Sequence, residues 1–260
     1  MCFRCLKILA FIALPCIAAD QTTLRVCADP NNLPFSNQQG QGFENRLAEL
    51  VAAKLGTKLE YTWWSQRKSF IKNTLDAGRC DAVMGIPSAL DAVTATKPYY
   101  RSTYVFVSQH DRKLQVASLE DPRFTEWRVG VHLVGDDYAP PAAALARRGI
   151  TSNVVGFSLF GEYGEENPPR KIVDAVARGN IDVAIVWGPF AGYFAKQEPV
   201  ALDIVPVSPA MFLALPFTYD IAMGVRKGND ALKAQLDEVI ESESAAIQQI
   251  LMQYGVPQIH

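Results

Sequence analysis

The sequence predicts an α/β fold of two lobes joined by a two-strand hinge. Three observations predict it. Short apolar runs alternate with amphipathic stretches in β-α-β order. That order starts afresh midway along the chain. The chain also passes between the two units twice, and its last helix follows the second passage.

In the first unit, a strand at Leu24–Ala28 leads into a turn-rich stretch from Asp29 to Ser36. A helix follows with Leu47, Leu50, Val51 and Leu55 on one face and Gly56 as its stop. Leu59–Trp64 is an aromatic strand. Arg67–Ala77 reads as a helix ended by Gly78. Cys80–Ile86 is the third strand. In the second unit, Glu126–His132 and Val154–Phe157 are strands flanking a helix at Pro140–Arg148. Pro168-Pro169 opens another helix, since proline suits a first helical turn. Ile181–Trp187 is a further strand. Two crossing segments, Tyr104–Ser108 and Tyr219–Val225, connect the units, and a helix from Asp230 to Tyr254 closes the chain. The expected lobes are 20–104 with 218–260, and 105–217 inserted between them.

Composition narrows the function. The 260 residues carry 25 Lys and Arg against 27 Asp and Glu, a net charge of −2. That balance excludes a basic nucleic-acid binder. Hydrophobic residues at 49% and charged residues at 20% suit a folded globular chain. Residues 1–19 have a positive head at Arg4 and Lys7, seven apolar residues from Ile8 to Leu14, and small Ala18 and Ala19. This is the pattern of a cleaved secretory signal peptide, and the apolar run is too short to span a membrane. No membrane anchor is expected after it, so the expected location is the periplasm.

Cleavage would remove three of the five cysteines and leave Cys27 and Cys80 in an oxidising compartment. Each lies in or beside a strand. A disulfide between them and two buried thiols are both open readings, because spacing alone does not set the Cα separation. After residue 19 no CxxC or HxxxH spacing occurs, so no metal site is expected.

The order of elements is similar to that of the type II periplasmic solute-binding proteins, over essentially the whole chain beyond the leader. The carriers are Arg25–Asp29, Pro34-Phe35-Ser36, Gly42-Phe43-Glu44, Asp76–Met84 and Lys97–Tyr100. A narrower resemblance rests on VCADPNNLPFSN (26–37), GFEN (42–45), YTWWSQRKSFIKNTL (61–75), CDAVMG (80–85) and TKPYYRSTYVFV (96–107). In the second lobe it rests on GVHLVGDDYAP (130–140), PPRKIVDAVARGNIDVAIVWGP (168–189) and FTYDIAMGVRKG (217–228). These segments resemble the J-type accessory proteins of methylotrophs, which are associated with PQQ-dependent methanol dehydrogenases. The resemblance implies a partner of that kind and a role in its assembly, activation or supply. One departure matters. Amino-acid-binding members of the superfamily carry an arginine that pairs with the ligand carboxylate, and Ala89 stands in its place here.

Ligands of such folds sit outside the carboxyl ends of the strands. The expected cleft residues are therefore Asp29, Asn31, Phe35, Trp64, Arg67, Pro87 and Ser88 from the first lobe. His132, Gly135, Trp187 and Gly188 come from the second. Several have a plainer reading. Asp29 also fits an Asx cap, Arg67 a solvated charge, and one of Trp63 and Trp64 must face the core because strand side chains alternate. Asp136 and Asp137 lack the spacing of a calcium loop and read as a helix entry. Glu162, Glu165 and Glu166 lie on a loop that is either solvated or a docking element. No catalytic set stands out: GxSxG and phosphate loops are absent. No cofactor is expected.

The leading expectation is a non-enzymatic periplasmic protein acting with a PQQ-dependent methanol or alcohol dehydrogenase. The alternative is a receptor that delivers a small solute, other than an ordinary amino acid, to an ABC permease. A third is a cleft dehydratase, for which His132 or Glu44 would be the acid.

Overall fold

The computed structural model describes residues 22–134, 137–160, 165 and 167–259. The leader 1–19, Gly135, Asp136, Glu162, Glu166 and His260 lie outside the described residues.

The first lobe is built on β1 (Thr23–Ala28), α1 (Phe43–Leu55), β2 (Lys58–Trp63), the single turn α2 (Phe70–Asn73) and β3 (Ala82–Pro87). β4 (Tyr100–Gln109) leads out of it. The second lobe holds β5 (Val129–Val134), α3 (Pro140–Arg147), β6 (Val154–Ser158), α4 (Lys171–Ala177), β7 (Val183–Trp187), α5 (Gly188–Ala195) and β8 (Leu202–Pro206). β9 (Thr218–Val225) returns, and α6 (Asp230–Ser242) and α7 (Ser244–Gln253) finish on the first lobe.

The first sheet runs β2-β1-β3-β9, with β1 parallel to both neighbours and β9 antiparallel to β3. The second runs β6-β5-β7-β4-β8, with β4 antiparallel to β7 and to β8. β4 belongs to both. Its residues 100–103 pair with β9, from Tyr100↔Ile221 to Thr103↔Thr218. From Tyr104 onward it pairs with β7, starting at Trp187↔Tyr104. The two crossing strands are thus hydrogen-bonded to each other, and the strand path is unbroken from lobe to lobe.

Burial follows the period of each element. In α1, Phe43, Leu47 and Val51 are fully buried at four-residue spacing. They meet Leu24, Val26 and Met84 of the sheet and Leu236, Val239 and Leu251 of the last helices in one core. Burying each such side chain is worth about 1.5–3 kcal/mol. β4 alternates: Phe106 joins a core with Phe124, Val131 and Leu145, while Val105 and Val107 join another with Ile172, Val176 and Phe190. α1 stops where Gly56 takes a left-handed φ of 64°, a conformation that costs glycine little.

Cys27 and Cys80 form a disulfide with a Cα separation of 5.6 Å, which resolves the two readings in favour of the bridge. β1 and β3 are parallel neighbours as that reading required, although Cys80 lies just before β3 rather than within it.

Three elements differ from expectation. The helix expected over Arg67–Ala77 is a single turn, because Ser69 enters at a φ of 69° and Thr74 leaves helical geometry at φ −119°. The C-terminal helix breaks at Glu243, between two serines of modest helix propensity. The break sets Glu243 2.7 Å from Lys54 of α1. Gly188–Ala195, to which the sequence reading assigns no element, is a helix with Pro189 in its first turn.

Candidate functional site

The loop after β1 and the start of α1 are built as one unit. The first helical amides, which have no partner within the helix, donate to that loop: Phe43 N to Pro34 O at 2.8 Å and Glu44 N to Phe35 O at 2.9 Å. Gly42 permits the approach, since a Cβ there would lie 1.9 Å from Phe35 O. Phe35 and Glu44 are thereby held together at the mouth between the lobes. Phe35 packs on Phe43 of its own lobe and on Phe190 of the other, both at 5.1 Å between ring centroids.

A cavity of about 420 Å³ opens there. The first lobe contributes Asn32, Phe35, Glu44, Gln66 and Pro87, and the second His132, Phe160, Trp187 and Phe190. The crossing strands add Tyr100, Tyr104 and Tyr219. Trp187 is fixed by edge contacts to Tyr104 at 5.4 Å and Tyr219 at 5.7 Å. Among the described residues no lysine or arginine lines this cavity.

Glu44 and His132 on its lining are both held uncharged near neutral pH. Burial, with the charge of nearby Asp29, pushes the Glu44 carboxyl up to about 8. Burial pushes His132 down to about 4. The imidazole Nε2 lies 3.3 Å from Pro169 O, which makes Nε2 the protonated nitrogen and leaves Nδ1 as an acceptor.

Of the expected cleft residues, the structure brings Phe35, Pro87, His132 and Trp187 onto this one cavity. Asp29 is buried beside it, its carboxylate accepting the amides of Asn31 at 2.9 Å and Gln66 at 2.6 Å. Asn31 reaches across the gap instead: its Nδ2 donates to Glu165 O at 2.5 Å, and its Oδ1 accepts from Asn167 N at 3.4 Å. Arg67 lies over the Phe160 ring at 5.6 Å and lines a neighbouring depression. Trp64 is away from the cavity, half-exposed beneath the Arg79 guanidinium at 5.0 Å, and Trp63 stacks on Tyr61. Ser88 donates its amide to Asp220 O. Gly188 packs on the hinge, where a Cβ would come 2.7 Å from Thr103 O. Gly135 lies outside the described residues. Sequence reasoning did not single out Tyr100, Tyr104, Phe160, Phe190 or Tyr219 as cavity residues. The alternation of the crossing strands was the signal for the tyrosines.

Among the described residues no cluster of three or more His, Cys, Asp or Glu could hold a metal ion, and no helix is long and apolar enough to cross a membrane.

Comparison with known proteins places this geometry. The chain is 32% identical to Protein MoxJ of Methylorubrum extorquens, over 92% of this chain and 82% of that protein. It superimposes on the crystal structure of the periplasmic binding protein XoxJ from Methylobacterium extorquens AM1 with a TM-score of 0.75 at 35% identity, covering 91% of this chain and 99% of the other. MxaJ from Methlophaga aminisulfidivorans MPT shares the fold at a TM-score of 0.80 and 24% identity, covering 91% of this chain and all of the other at 100%. The two-lobed architecture is that of the type II periplasmic binding proteins. The model of the bacterial extracellular solute-binding proteins, family 3, matches residues 24–256, and the chain belongs to that family.

Proposed function

We propose that this protein is a periplasmic accessory of a PQQ-dependent methanol or alcohol dehydrogenase, acting in its assembly, activation or supply through its lobe surfaces and loops. The similarity to MoxJ and XoxJ along nearly the whole chain carries this reading. The cleft supports it. An amino-acid receptor needs a cation for the ligand carboxylate, whereas Ala89 stands at the expected arginine position and no cation lines the cavity among the described residues. Export through a cleaved leader at 1–19 and division of the lobes at 104/105 and 217/218 belong to the same proposal. The Cys27–Cys80 disulfide is consistent with an oxidising destination.

Affinity capture on the tagged protein from periplasm, with the captured proteins identified, tests the reading. Recovery of a quinoprotein dehydrogenase supports it. Recovery of a permease alone favours a transport receptor. A dehydratase is the third reading, because Glu44, raised to about 8, is protonated at neutral pH and shares the cavity with His132. It ranks lower, since a carboxylate substrate would find no cationic partner among the described residues of the cavity wall. Turnover of prephenate-like acids, lost in Glu44→Gln, would establish it.

A further inference from the structure

We propose that the cleft takes a small organic ammonium ion, with its charge set against Glu44 and its apolar substituents against the aromatic wall. Glu44 is only 8% exposed and lines the cavity, the described residues give its side chain no hydrogen bond, and its oxygens stay open to the cavity space. Native proteins leave few buried polar groups without a partner, because desolvation without compensation is costly. The carboxyl also has nowhere else to go. It lies against the backbone of Gly85, where a Cβ would sit 1.9 Å from Oε1.

The described lining favours a positive partner over a negative one. An anion entering the cavity would meet the Glu44 carboxyl, with Asp29 behind it, and no lysine or arginine on the described lining. A cation meets a wall that includes Phe35, Tyr100, Tyr104, Trp187, Phe190 and Tyr219, aromatic residues whose π faces attract positive charge in a desolvated site. His132, neutral at physiological pH, adds no opposing charge and leaves Nδ1 free to accept from an N–H. The lack of a carboxylate clamp separates this ligand class from amino acids: the ligand carries an ammonium centre and no acid group.

Binding then displaces a proton. Free Glu44 holds its proton up to about pH 8, and a bound cation favours the carboxylate. At pH 7 each binding event should release about one proton, and affinity should rise about tenfold per pH unit until about pH 8, then level off. Glu44→Gln separates this proton from those of the groups that face Glu44. Burial raises the Asp29 carboxyl, opposed by the two backbone amides it accepts and by Arg67. Tyr61, Tyr99 and Tyr100 are all pushed upward by their burial. His132 is already neutral above its lowered range.

Titration calorimetry on the purified protein decides the matter. The probes are choline and benzylamine, paired with their uncharged counterparts 3,3-dimethyl-1-butanol and benzyl alcohol. Each is run at pH 7 in two buffers of different ionisation enthalpy. The expected result is that the cations bind at least about tenfold more tightly than the neutral partners, with about one proton released. Glu44→Gln should abolish the proton release and lower cation affinity by about tenfold or more. The wild-type proton count stands even if that variant folds poorly. Equal binding of the neutral partners, cation binding without proton release, or no binding by any probe overturns the proposal. It rests on the cleft and not on the dehydrogenase partnership, so failure of one leaves the other standing.

Discussion

The Glu44 carboxyl rests on the backbone of Gly85: Oε1 occupies space within 1.9 Å of where a Gly85 Cβ would stand. A helix-start residue of α1 is thereby packed against the strand β3 on the wall of the interlobe cavity. Replacing Gly85 with alanine must move the carboxyl or the strand. We expect Gly85→Ala to lose about 1–3 kcal/mol, the usual range for overpacking. Urea unfolding of the variant beside wild type measures it.

Glu44 and His132 of the cavity give stability a distinctive pH dependence. The folded pKa of Glu44 is raised from 4.5 to about 8, so the folded state favours the protonated form. Its contribution is greatest below the unfolded value and is lost as pH rises towards 8. His132 is lowered from 6.5 to about 4, so its contribution is present above 6.5 and is lost as pH falls towards 4. The two trends oppose each other between 4.5 and 6.5. Above 6.5 the Glu44 trend stands alone, and stability should decline towards pH 8. Glu44→Gln should abolish that decline and be the more stable protein at pH 8, by a few kcal/mol as an order of magnitude. Urea midpoints at pH 6.5 and pH 8 for both proteins check this.

The disulfide closes a sequence separation of 53 residues between Cys27 and Cys80. Chain-entropy arguments value such a closure at about 4 kcal/mol. The double variant Cys27→Ala/Cys80→Ala should unfold at correspondingly lower urea, and a reducing agent should shift wild type towards it without affecting the variant.

Asn31 is a tie between the lobes, bonded to Glu165 O and Asn167 N from across the gap. Asn31→Ala removes both bonds, each worth about 0.5–1.5 kcal/mol. Faster amide exchange at Asn167 is the expected outcome, with exchange in the β1 core unchanged.

Much of this fold was legible because its elements follow simple periods. β1 reads as a buried strand, α1 shows a four-residue apolar spacing, and Gly56 marks its end. The legible part of the site was the strands and the loops that follow them: Phe35, Pro87, His132 and Trp187 all converge. What was not legible depended on long-range packing. Glu44 sits two residues into a helix, where an acid normally faces solvent and the helix dipole. Only the fold shows that this helix start is driven under the loop of Phe35. Trp64 follows the last residue of the edge strand β2, and its ring lies beneath Arg79, a contact distant in sequence. The break at Glu243 answers to a pairing with Lys54, distant in sequence, that no local pattern records.

The most direct test of the functional account is size-exclusion chromatography of the purified protein mixed with a purified PQQ-dependent methanol dehydrogenase from the same organism. Co-elution in a stoichiometric complex is the predicted result. Separate elution at every ratio, with dehydrogenase activity unaltered by the added protein, would contradict the account.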